Sequence, residues 1–63
     1  MRYELDEITV KIVKNGYVVE ASYRSTEMVD GFHPHIEEEF ITMNVEGIKG
    51  YIASILRDRV RDA

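Results

Sequence analysis

The side chains best suited to chemistry in this 63-residue sequence fall in one stretch, His33-Pro34-His35 followed by Glu37-Glu38-Glu39. Two imidazoles and a carboxylate make a donor set for a transition metal. His-x-His in a bend fixes no ligand geometry, however, so His33 and His35 are read as a solvated turn without a metal. The three glutamates could share acid–base work only if their surroundings separated them. Alternation along a strand puts Glu37 and Glu39 on one face and Glu38 on the other, and the run reads as edge-protecting charge. No phosphate loop, dinucleotide fingerprint or nucleophile elbow occurs, and there is no cysteine. A chain this short has little room to enclose a substrate cavity of about 300 Å³. The expectation is a protein that is not an enzyme and holds no cofactor.

The elements that carry these residues are those of a single small domain, residues 1–63. A domain of this size buries only ~60% of the surface its unfolded chain exposes, and without cysteine no disulfide makes up the difference. Packing or self-association must do so. Hydrophobic residues at 44% and charged residues at 32% fit a globular chain. Eight Lys and Arg against twelve Asp and Glu give a net charge of −4. That charge disfavours nucleic acid as a partner, leaving Tyr17, Tyr23 and Arg24 as the candidates for base stacking on the sheet. No apolar run approaches the length of a membrane span. The first residues, Met1 to Glu7, lack the apolar stretch of a signal peptide, and a cytoplasmic location is expected.

Asn15-Gly16 predicts a type I′ hairpin turn, because both central residues tolerate positive φ. With these two as the loop, Val13 faces Val18, Lys11 faces Glu20 and Glu7 faces Arg24. One face then collects Ile8, Val10, Ile12, Val19, Ala21 and Tyr23; the other collects Thr9, Lys11, Val13, Val18, Glu20 and Ser22. A third strand is expected over Glu38–Met43, with either Phe40 or the Ile41 and Met43 pair turned to the core. From Val45 to about Val60, apolar residues at Val45, Ile48, Ile52, Ile55 and Leu56 follow a helical period. Asn44 is the expected N-cap, Met43 and Ile48 a hydrophobic staple, and Arg57, Arg59 and Arg61 complements to the helix dipole. Between Ser25 and Glu37 the chain is either a functional loop or a second hairpin turning at Asp30-Gly31.

The predicted fold is therefore α+β: a three-stranded antiparallel sheet with one C-terminal helix on a single face. Its core is expected to be Ile8, Val10, Ile12, Val19, Ala21, Tyr23, Ile48, Ile52, Ile55 and Leu56. One helix covers one face, so the other face presents a surface for a protein partner: Val13 and Val18, with either Phe40 or the Ile41 and Met43 pair added by the third strand, and Glu37, Glu38 and Glu39 as further candidates for the contact. Met28, Val29 and Phe32 at the bend add an apolar contact, and acids including Glu27 and Asp30 could imitate nucleic acid toward a basic cleft. Self-association, as a homodimer, is expected through the same face or along the small residues Gly47, Gly50 and Ser54. In size, acidity and element order the chain is similar to short phage-encoded proteins that inhibit host enzymes, without a motif in common. The function expected is docking on another protein; a structural subunit and a nucleic-acid-binding domain are the alternatives.

Overall fold

The computed structural model describes residues 1–62. Four strands and a helix follow in the order β1 (Arg2–Val13), β2 (Gly16–Ser25), β3 (His35–Thr42), α1 (Val45–Arg57) and β4 (Val60–Asp62). The strands form one antiparallel sheet ordered β3-β2-β1-β4, curled toward the helix as a half-barrel. The α+β class is as expected, but the sheet has four strands and not three. No helix among the described residues is long and apolar enough to cross a membrane.

The first hairpin keeps its predicted faces in a different register. Val13 pairs with Gly16, Val10 with Val19 and Ile8 with Ala21, so Lys14 and Asn15 form the loop. The shift is by two residues, which preserves facing because side chains alternate with period two. Neither loop residue takes positive φ. Gly16 does, at φ 155°, and a Cβ there would lie 2.6 Å from the carbonyl oxygen of Thr42. The type I′ pattern falls instead on Asp30-Gly31, with φ 51° and 86°. Around it Val29 N–H donates to Phe32 O at 2.7 Å and Phe32 N–H returns a bond of 3.1 Å. Of the two readings of Ser25 to Glu37, the second hairpin is the one formed.

Between Leu5 and Glu7 the pairing shifts by one residue, a β-bulge at Asp6. A bulge puts two residues opposite one and reverses the alternation beyond it. Tyr3 and Leu5 thereby join Ile8 on the helix side and pack against the core. That core consists of fully buried Val19, Ala21, Tyr23 and Ile55, with Ile36, Phe40, Ile48, Tyr51 and Ile52 packed around it. Phe40, not Ile41, faces inward, and its ring stacks on Tyr51 at 4.7 Å between centroids. Three expected core residues lie outside it: Val10, Ile12 and Leu56 are all exposed. For Val10 and Ile12 the cause is the position of α1, which packs on β2 and β3 and leaves the distal half of β1 uncovered.

The helix begins as its sequence implies. Asn44 Oδ1 accepts the Gly47 N–H at 2.7 Å, satisfying one of the donors a helix start leaves open. Met43 is 80% exposed, so it does not staple onto Ile48. The end is earlier than predicted: Asp58 N–H closes on Ser54 O at 3.1 Å, and the chain then turns to the sheet, where Leu5 N–H donates to Arg59 O at 2.8 Å. The sheet edge offered backbone partners that continued helix could not reach. Arg59 and Arg61 accordingly lie beyond the helix, and only Arg57 stands in its last turn.

The two helix glycines separate in the same way. A Cβ on Gly47 would lie 2.7 Å from Thr42 Cβ, whereas one on Gly50 would meet nothing within 4 Å. Gly47→Ala should therefore lower stability by about 1–3 kcal/mol through overpacking. Gly50→Ala should raise it by about 0.5–1 kcal/mol through helix propensity. Urea titrations of both variants check the contrast, which is lost if the two midpoints move in the same direction. Ile55→Ala, with its side chain fully buried, should cost about 2–5 kcal/mol.

Candidate functional site

Two groupings emerge from the residues that could act on a partner or a ligand. The first lies on the helix side. Ala21 pairs with Glu38, and Tyr23 with Ile36, so Glu38 points in beside Tyr23, away from Glu37 and Glu39. Tyr3 pairs with Arg61 on the opposite edge strand. Arg61 reaches across the curled face: Nε donates to Glu38 Oε2 at 2.8 Å and Nη2 to Oε1 at 3.2 Å. Its guanidinium lies 4.8 Å above the centre of the Tyr23 ring, a cation–π contact. Tyr23 donates its hydroxyl hydrogen to Glu38 Oε1 at 3.2 Å. The remaining guanidinium donor, Nη1, bonds Asp58 O at 2.6 Å and Val60 O at 3.0 Å.

These contacts set the electrostatics. The Arg61 hydrogen bonds hold the Glu38 carboxyl below its ordinary value, against burial. Burial first, and the Glu38 charge second, push the Tyr23 phenol up. Every donor and acceptor here is engaged by a neighbour within the chain, so the cluster is a structural clasp. Tyr23 is fully buried, which removes it from the residues expected to stack on bases.

The second grouping lies on the opposite face. In register, Lys11, Val18 and Ile41 lie side by side, as do Thr9, Glu20 and Glu39, then Glu7, Ser22 and Glu37. Val13, Val18 and Ile41 form an apolar end nearest the Lys14-Asn15 loop, with Ile41 74% exposed. Below it runs an acidic belt of Glu7, Glu20, Glu37 and Glu39. Lys11 Nζ meets Glu20 Oε1 at 2.6 Å; that bond, with the neighbouring acids, raises the lysine pKa. A cavity of about 220 Å³ opens on this face, lined by Glu7, Thr9, Glu20, Ala21, Ser22 and Glu37.

The predicted partner-binding residues are thus divided. Val13, Val18, Ile41, Glu37 and Glu39 share this face. Phe40 and Glu38 are on the other, committed to Tyr51 and Arg61. Met28, Val29 and Phe32 come together around the Asp30-Gly31 turn, largely exposed, at the end of the sheet remote from Val13. Gly47 is pressed on Thr42 within the chain, so Gly47, Gly50 and Ser54 do not form an open strip. His33 Nδ1 lies 3.0 Å from Ser25 O; a carbonyl only accepts, so that nitrogen carries the proton and donates. Among the described residues, no group of three His, Asp or Glu is placed to hold a metal ion. The sequence alone does not reveal Arg61 and Glu7: the helical period places the first at a helix end, whereas it lies in β4, and the turn register sets the second opposite Arg24, whereas it pairs with Ser22.

No family model matches the chain, and no curated protein and no solved structure matches it.

The clasp predicts a pH dependence. A carboxyl whose folded pKa is depressed stabilises the fold above its unfolded pKa and loses that contribution as pH falls. Wild-type stability should therefore decline as pH drops below the ordinary glutamate value of 4.5. Glu38→Gln should cost about 1–3 kcal/mol at neutral pH, the worth of hydrogen bonds to a charged group, and should flatten that acid limb. Urea unfolding at pH 7 and pH 3 reads both effects; an acid loss in Glu38→Gln equal to wild type would show that other carboxylates cause it.

Proposed function

We propose that the protein is a small docking module, without catalytic chemistry, that binds another protein through the sheet face opposite the helix. The observation that carries this reading is the gathering of Val13, Val18 and Ile41 at one end of a face that no element among the described residues covers, directly above an acidic belt. Apolar contact at the centre of an interface supplies affinity, and charge around it steers encounter and sets register. The partner it suits presents an apolar contact bordered by Lys or Arg, and a net charge of −4 on this chain favours that approach. Where such a partner is an enzyme, covering its surface would inhibit it, in the manner of the phage-encoded inhibitors the chain is similar to in size and acidity.

Ile41 is exposed, so Ile41→Asp leaves the folded monomer unstrained while removing the apolar centre. Affinity capture with wild type and variant side by side should show the bound protein reduced about tenfold, equivalent to about 1.4 kcal/mol, with an unchanged circular dichroism spectrum. Replacing both Glu37 and Glu39 by Lys should weaken capture mainly at low salt, since exposed charges are screened as ionic strength rises. A partner that binds all three chains equally well docks somewhere else.

A further inference from the structure

The outer edge of β1 carries an interaction of its own. Strand β4 pairs with β1 only over Arg2–Glu4, and among the described residues no strand lies beside the rest of that edge. The direction of its backbone groups follows from the bulge. Leu5 gives its N–H to Arg59 O, so Leu5 points outward, away from β2. Asp6 and Glu7 then both oppose Ser22, and the alternation restarts. Beyond that point Ile8, Val10 and Ile12 direct their N–H and C=O groups outward, while Glu7, Thr9, Lys11 and Val13 bond to β2. The same three residues hold their side chains on the helix face; Ile8 packs against the core, while α1 stops short of Val10 and Ile12, which are 41% and 83% exposed.

Open strand edges are ordinarily blunted by charge, proline or a covering element. The other edge of the sheet, β3, has Glu37, Glu38 and Glu39 along it. The β1 edge has no proline and presents an isoleucine, a valine and an isoleucine in its outward positions.

We propose that this edge pairs with the same edge of a second copy, antiparallel about a two-fold axis at Val10. The sequence is self-complementary in that register. Val10 faces Val10 of the partner subunit, and Ile8 faces the partner's Ile12, a contact that occurs twice by symmetry. All outward backbone groups of Ile8, Val10 and Ile12 find partners, and the two sheets become one continuous sheet. Neighbouring registers are worse: a two-fold axis at Thr9 carries Ile12 to the bulge at Asp6, where the alternation is broken, and one at Lys11 sets two lysines face to face. Val13, Val18 and Ile41 remain on the opposite face and free, so the dimer is compatible with docking of another protein and does not depend on it.

The test is the mass in solution. Wild-type protein at high micromolar concentration should sediment at twice the chain mass of 7.3 kDa. Ile12→Asp and Val10→Pro should each return it to the single-chain mass with the secondary structure kept, since an exposed edge tolerates both changes in the monomer. Ile41→Asp should leave the dimer intact. Hydrogen exchange at Val10 and Ile12 should be at least tenfold slower in the wild type than in Ile12→Asp. A wild type that sediments as a single chain overturns the proposal, including the case in which the edge receives a foreign strand. So does a dimer that Ile41→Asp splits and Ile12→Asp does not, which would place the interface on the sheet face.

Discussion

The bond between Arg61 and Glu38 holds together what the backbone alone does not. Strands β3 and β4 are the two edges of the sheet, and in a flat sheet they would lie about 14 Å apart. Curling toward the helix brings their side chains within hydrogen-bond distance, and the guanidinium fork fits the carboxylate in two places. Tyr23, in the middle of the curl, serves both: its ring lies under the cation and its hydroxyl bonds the anion. The pair is partly shielded, with side-chain exposures of 24% and 30%. Breaking it would leave one charge without its partner in a half-dry site, which costs more than an exposed ion pair contributes. The same arginine bonds Asp58 O just past the helix, so the helix exit, both sheet edges and the core tyrosine share one residue.

A helix of this length covers only part of a long hairpin. Placed over β2 and β3, it buries Val19, Ala21 and Tyr23 completely and stops short of Val10 and Ile12. The distal hairpin is consequently apolar on both sides without cover, Ile12 on one and Val13 and Ile41 on the other. For a chain with a small core, such exposure is tolerated where something else binds there.

Much of this was legible in the sequence, though not all for the reasons that pointed to it. The two-faced pattern of the hairpin survives a register shift of two, because alternation depends on parity alone. The turn chemistry of Asn15-Gly16 was outweighed by the contact of Gly16 with the Thr42 backbone; the turn that obeys the rule is Asp30-Gly31. A signal for the bulge was present: Tyr3 and Leu5 alternate in one phase, and Ile8, Val10 and Ile12 in the other. Strand β4 left no local mark, since Val60 also fits the helical period of Leu56 and Ile52. Its existence follows from an unpaired edge elsewhere in the sheet, which no local window of sequence contains. The clasp was hidden for the same reason, because Glu38 and Arg61 meet only when that edge is filled. On the candidate face, Val13, Val18 and Ile41 were recognisable from parity, whereas Phe40 depended on which phase β3 adopted.

The pairing of Arg2 with Asp62 also governs how the chain can fold. The last strand cannot form until nearly the entire chain has been brought into a closed loop, and loop-closure entropy must be met before the contact returns any stability. The hairpins and the helix are local and can form early, so β4 and its arginine are expected to dock late, completing the curl around an already assembled sheet. A covalent link between residues 2 and 62, with new ends opened at Lys14-Asn15, would reverse that order: the edge contact would become local, and the central hairpin would become the closure formed last.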